Sequence, residues 1–193
     1  IWLLKNKRHF KNWKKRNFNP PAPEFIKHEV LKKNNLKECL WIESGTYYGD
    51  TTNKLSKISN KVISIEADDR LSKLATKRFE KIKLANFFEL DDLFIVHGDK
   101  ILPNTGKIII IGHEHPAVSF GEKPGEKYKC FLKGTWEKHP LIVMPSFNML
   151  TVGSDIHHGK FLSPYLKKGL KNFEIYVVED KTYYFGKVKD LPD

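Results

Sequence analysis

Apolar positions recur with two different periods along this chain, and the change of pattern near residue 87 divides it. In residues 24–34 (EFIKHEVLKKN), Phe25, Ile26, Val30 and Leu31 recur at helical spacing and predict a short amphipathic helix. Residues 39–42 (CLWI) read as a buried strand ending on Glu43, and residues 61–65 (KVISI) as a second ending on Glu66. Between them a glycine-containing turn, Ser44 to Thr52, leads into a helix over 52–59, and a long basic helix follows from about residue 70 to residue 83. The result is a β-α-β-α unit with a carboxylate closing each strand.

Beyond residue 87 the strand period takes over. Residues 93–96 (LFIV) predict a strand that ends in His97-Gly98-Asp99. Four consecutive isoleucines, 108–111, predict a strand buried on both faces, after which Gly112 lets the backbone turn. Residues 128–136, 141–144, 173–179 and 182–188 read as further strands, with a hairpin turn at Glu179-Asp180-Lys181. A short helix is expected within 160–170, interrupted by Pro164. The predicted class is α/β, a layered mixed sheet with a Rossmann-like β-α-β-α front half and a β-rich back half.

Size and charge sharpen this division. The chain has 193 residues and a hydrophobic content of 40%, enough for a substantial core. No apolar run approaches the ~18 residues of a membrane span, so none is expected. Ile1-Trp2-Leu3-Leu4 is too short for a signal-peptide core, and without an initiator methionine a truncated or partial sequence is expected. Cys39 and Cys130 form no CxxC pair, which points to a reducing, cytoplasmic setting. The net charge of +11 lies entirely in residues 1–86, with 20 Lys/Arg against 9 Asp/Glu, while residues 87–193 hold 14 of each. From Lys5 to Arg16 there are seven positive charges and no acid, with Phe10 and Trp13 interleaved. Such an arm either sits on nucleic-acid phosphates or anionic lipid, or forms a solvated, partly helical extension. Pro20-Pro21-Ala22-Pro23 ends it, which gives an extension over 1–19 and two segments, 20–86 and 87–193.

The chemistry of the front segment lies in its strand ends. Glu43-x-Gly45-x-x-x-Gly49 between strand and helix lets the backbone approach a cofactor, and the helix N-terminus adds partial positive charge. Glu66, at the end of the second strand, is placed to accept hydrogen bonds from ribose hydroxyls. With WIESGTYYGDTT and VISIEADDRLSKLATKRF, residues 10–83 resemble the N-terminal part of class I methyltransferases that use S-adenosylmethionine. The resemblance implies that Glu43, Gly45, Thr46 and Gly49 flank the methionine moiety and that Glu66 holds the ribose. The family's third and fourth strands are not located in the sequence after Lys83.

The back segment offers imidazoles. His97, His113 and His115 each lie just past a hydrophobic strand, and adjacent parallel strands would bring them to one sheet edge, where α/β folds place ligands. Neutral imidazole suits zinc, manganese or iron, and Asp99 is placed to orient an imidazole from behind. The segments FIVHGD, IIIIGHEHPAV, YKCFLKGTW, LIVMPSFN and EIYVVEDKTYYFGKVKDL resemble the C-terminal part of calcineurin-like metallophosphoesterases, specifically an archaeal-type, SbcD-related subgroup. The resemblance covers 87–193. It implies that His97 and His113 ligate one metal and His115 another, and that a metal-bound hydroxide hydrolyses a phosphate mono- or diester. The family's N-terminal motifs, DxH, GDxxD and GNHD/E, are absent; Ala67-Asp68-Asp69 mimics the first without its histidine.

The composite reading is therefore a metal-dependent phosphoesterase lacking part of its ligand set, with no catalytic residue assigned. Two alternatives stand beside it: a methyltransferase using S-adenosylmethionine, and a catalytically inactive protein that binds nucleic acid through Lys5 to Arg16.

Overall fold

The computed structural model describes residues 2–17, 23–36, 38–79, 83–103, 107–120, 127–147 and 152–191. The basic arm is helix α1 (Trp2–Lys15), which has no acid in its first turn and Lys14 and Lys15 in its last. Of the proline segment only Pro23 is among the described residues, and it stands at the N-cap of α2 (Glu24–Lys33). The expected β-α-β-α unit then forms as β1 (Leu40–Ser44), α3 (Asp50–Ile58), β2 (Lys61–Ile65) and α4 (Asp69–Arg78). The last helix is shorter than its basic periodicity predicts. Asp68 caps it by accepting from the Arg70 and Leu71 amides, so the Asp68-Asp69 pair that imitates a metal motif is a helix start.

The front sheet has a third strand that the sequence pattern does not show. After α4, β3 (Lys83–Ala85) pairs parallel with β2, completing a sheet of order β1-β2-β3. At three residues it is too short to show a period. Leu31, Leu55 and Val62 form a small core under this sheet, with Trp41 and Ile58 packed against it.

The back half begins at once with β4 (Phe87–Leu90), which turns antiparallel onto β5 (Leu93–Val96). Then follow β6 (Ile108–Ile111), β7 (Pro116–Ser119), β8 (Lys127–Trp136), β9 (His139–Val143), β10 (Ser154–Asp155), β11 (Glu174–Val178) and β12 (Thr182–Lys187). The main path is β10-β7-β8-β9-β6-β5-β4, with β11 joining β8 and β12 joining β11. Strands β5, β6 and β9 are mutually parallel, so β5 and β6 deliver their carboxyl ends to one edge as expected. The expected helix within 160–170 is only a 3-10 turn at Pro164–Leu166.

Strand β6 differs from its predicted environment. Ile109 and Ile111 are sealed in the core, whereas Ile108 and Ile110 are half-buried, so one face is closed and the other partly covered. The sealed face meets Phe94, Val96, Leu141 and Val143 from its neighbours in the main core. Burying each such side chain contributes about 1.5–3 kcal/mol. The two sheets remain separate: the parallel one ends at Ala85 and the mixed one starts at Phe87. Among the described residues no helix is long and apolar enough to cross a membrane.

Candidate functional site

The site is assembled where the carboxyl ends of β5 and β6 face the end of β1. The His97 carbonyl accepts from both the Gly112 and His113 amides, at 3.0 and 2.9 Å, which extends the β5–β6 pairing by one irregular step. That step brings the two imidazoles together, with His113 Nδ1 3.0 Å from His97 Nε2 and ring centroids 4.9 Å apart. Gly112 serves closeness here and not the turn expected of it. A Cβ at Gly112 would lie 3.0 Å from Ser44 Oγ, and the residue with left-handed backbone is His115, at φ 52°. Ser44 in turn lies 3.3 Å from His97 Nδ1 through its Oγ. The parallel sheet therefore contributes a partner to the histidine pair of the mixed sheet.

The sense of this chain of contacts follows the tautomer of His97. If His97 Nδ1 carries the proton, it donates to Ser44 Oγ and leaves Nε2 as the acceptor for His113 or as a ligand lone pair. Burial pushes His97 below the ordinary imidazole range, and His113 adds to the effect, while Asp99 and Glu66 pull the other way. Burial likewise depresses His115, helped by His113, His97 and Lys129. Both rings are held toward the neutral form that a metal requires. Asp99 is half-buried and acts on His97 through its charge.

The separation of the pair tests its fit to a metal. Two nitrogens bound at about 2.1 Å to one ion stand about 3.0–3.4 Å apart for octahedral to tetrahedral angles. The observed 3.0 Å matches neighbouring positions on one coordination sphere. The structure thus brings His97 and His113 together, and His115 stands close enough to feel their charges. Among the described residues, however, no group of three or more His, Cys, Asp or Glu side chains is arranged to hold a metal ion.

Glu114 carries no role in the sequence reading, yet it is the side chain that anchors this loop. It is 1% exposed, and its Oε2 accepts from the Leu162 and Ser163 amides at 2.8 and 2.9 Å, while Oε1 has no partner. Ser163 Oγ donates to the Gly98 carbonyl at 2.6 Å. The loops after β5 and β6 are therefore tied to the same segment. A carboxylate between two histidines gives no periodic signal, so the sequence had no means to mark it.

The front residues form a second polar cluster at the ends of β1 and β2. Glu43 Oε2 accepts from the Thr52 and Ser64 hydroxyls at 2.5 and 2.7 Å. Burial raises its carboxyl above the ordinary range, against the pull of those hydroxyls and of Lys27, with Glu66 adding a little. Thr46 is buried, with its hydroxyl 2.6 Å from that of Ser64. Gly45 adopts φ 90° and its amide donates to the Ile65 carbonyl at 2.8 Å. Gly49 is the left-handed N-cap of α3, at φ 78°, and a side chain there would run into the Phe79 ring. Glu66 is 6% exposed and accepts from the Tyr47 and Asp68 amides at 2.8 and 3.0 Å, one on each oxygen. The structure thus holds Glu43, Thr46 and Ser64 in one network, and both Glu66 oxygens already have backbone donors.

Comparison with known proteins finds a likeness in sequence and a separate likeness in fold. No family model matches the sequence. The chain is 37% identical over 93 residues to an rRNA adenine N-6-methyltransferase of Clostridium perfringens, a match covering 46% of this chain and 35% of that protein. The matched stretch is thus about a third of the length of that curated relative. The fold is similar to that of Pseudomonas putida nuclease MPE, with a TM-score of 0.50, 15% identity, and coverage of 81% of this chain and 75% of that one. An rRNA methylase from Streptococcus thermophilus has a TM-score of 0.34 at 13% identity, over 66% of this chain and 73% of that one, and the fold comparison rests on the nuclease alone. The chain is thus a mixed α/β protein similar in sequence to a methyltransferase and in fold to a nuclease.

Proposed function

We propose that this chain is a metal-dependent phosphoesterase with an incomplete site, in which His97 and His113 hold one divalent ion (manganese, iron or zinc) weakly. The observation that carries this reading is the imidazole pair, 3.0 Å apart at the carboxyl ends of two parallel strands. Its support is the likeness of fold to a nuclease and the back-half sequence resemblance. A bound ion would supply Lewis acidity toward a phosphate oxygen and would acidify water. The chain's own residues do the positioning. Ser44 holds Nδ1 of His97, and Glu114 fixes the loop that carries His113 and His115. His115, depressed by burial, is available as a neutral base or as a ligand to a second ion. Among the described residues no bridging aspartate accompanies these histidines, so hydrolysis is slow; the substrate in this reading is a phosphate mono- or diester.

Metal analysis and hydrolysis of a chromogenic phosphodiester, with His97→Ala and His115→Ala as controls, test the proposal. Weak binding of one manganese, iron or zinc ion per chain, lost in His97→Ala, supports it. Absence of metal binding, or turnover equal to that of both variants, sinks it.

A methyltransferase reading is favoured by one separate observation, the 37% identity to an rRNA methyltransferase. In that reading Glu43, Gly45, Thr46, Gly49 and Glu66 receive S-adenosylmethionine, and a flat calorimetric titration with it removes the idea. Either reading allows nucleic acid as a partner of the basic arm. Helix α1 carries Lys5, Lys7, Arg8, Lys11, Lys14 and Lys15, with Arg16 next in sequence. Binding through it must weaken steeply as salt rises, because phosphate contacts release counterions.

A further inference from the structure

The loop between β1 and α3 holds two large rings out into solvent beside the histidine pair. Tyr47 is 63% exposed and Tyr48 54%, two adjacent rings that present flat apolar area to solvent. The loop is also rigidly built. Tyr47 adopts φ 52°, a conformation costly for an aromatic residue, and its amide is held at 2.8 Å by the buried Glu66 carboxylate. The Gly49 amide closes the turn on the Thr46 carbonyl at 2.8 Å, and the Arg78 guanidinium donates to the Tyr48 carbonyl at 2.5 Å. The rings meet edge to face, 4.3 Å between centroids at 63°, so the edge of one covers a face of the other, and their exposure lies on the remaining faces. The loop adjoins the site, since a Cβ at Gly45 would lie 3.7 Å from His97 Cε1.

We propose that Tyr47 and Tyr48 form a nucleobase-stacking platform at the rim of the histidine site, and that the phosphodiester taken there belongs to single-stranded nucleic acid. This deepens the phosphoesterase reading and rests on it. Charge selects the partner: residues 1–86 carry the whole +11 of the chain, and Lys77 and Arg78, the latter paired with Asp50 at 2.9 Å, end the helix beside the loop. A polyanion with exposed flat faces matches a basic surface bearing exposed rings, and only a single strand offers free base faces. The strained, anchored loop presents the rings already ordered, which lowers the entropy lost on binding.

The test compares two fluorescent oligomers of equal length, oligothymidylate and an abasic phosphodiester chain, by anisotropy with the full chain in chelator. The wild type should bind oligothymidylate about tenfold or more tighter than the abasic chain, the range of one to two stacked bases. Tyr47→Ala with Tyr48→Ala should abolish that difference while leaving abasic binding unchanged, and Tyr47→Phe should keep it. Tyr47→Gly relieves the backbone strain, so it should melt no lower than wild type, and combined with Tyr48→Ala it should still lose discrimination. Equal binding of both oligomers by wild type, or discrimination retained in Tyr47→Gly with Tyr48→Ala, overturns the platform. Binding of neither overturns it too, while metal-dependent hydrolysis of the chromogenic diester would leave the phosphoesterase reading standing.

Discussion

Replacing Glu114 with alanine removes the one acceptor shared by the Leu162 and Ser163 amides. The two donors lose unequally. Leu162 is 65% exposed and its amide can turn to water, a loss of about 1 kcal/mol. Ser163 is fully buried, so its amide bears a desolvation cost of about 2–3 kcal/mol. Relief of the unpartnered Oε1 offsets about 1 kcal/mol, leaving a net loss of about 2–3 kcal/mol. For a chain of this length that lowers the melting temperature by about 5–10 °C. Glu114→Gln keeps an acceptor oxygen for both amides and loses only the charge assistance, about 1 kcal/mol. Urea denaturation of the three proteins reads these differences directly. An alanine variant within 1 kcal/mol of wild type, or a glutamine variant no better than alanine, would refute the clamp.

Three further outcomes are expected. Ser44→Ala removes the Nδ1 partner of His97, so nitrogen NMR should show the His97 ring shifts and tautomer balance change, and metal affinity should fall about 10-fold; unchanged nitrogen shifts would count against the role. Gly49→Ala places a methyl against Phe79 at φ 78° and should cost about 1–2 kcal/mol or more, with partial recovery in Gly49→Ala/Phe79→Leu; a thermal melt unchanged by the single substitution would contradict it. Glu43 titrates above its unfolded value of 4.5, so its contribution to stability is full below that value and is lost as pH rises through the folded one. Glu43→Gln should therefore stabilise the fold relative to wild type at pH 7 but not at pH 4, and equal denaturation midpoints at both values would show that burial does not govern this carboxyl.

Strand and helix placement was legible wherever the period ran for several residues. LWIES, KVISI, LFIV, IIII and the long YKCFLKGTW strand all form where their apolar pattern puts them. The elements that escaped are those too short or too irregular to carry a period. They are β3, β4, β7 and the two-residue β10, each held by register with a neighbouring strand. The helix ending at Arg78 shows the limit in the other direction: its basic pattern continues, but Phe79 leaves the helical backbone to pack its ring against Gly49.

The sequence by itself determined the two-part character of this protein, because charge, period and strand-end residues are all local properties. It also put His97, His113, Glu43 and Glu66 at strand ends, since a hydrophobic run that stops on a polar residue places that residue at a sheet edge. Only the tertiary structure decided which of those ends meet. The pairing of β5 with β6 sets His97 and His113 at 3.0 Å, and the close approach of Ser44 to Gly112 joins the parallel sheet to the mixed one. Glu114, Ser163 and the strained Tyr47 acquire roles from partners 49, 65 and 19 positions away in the chain. Contacts at that separation depend on strand register and loop path, which no local pattern of residues encodes.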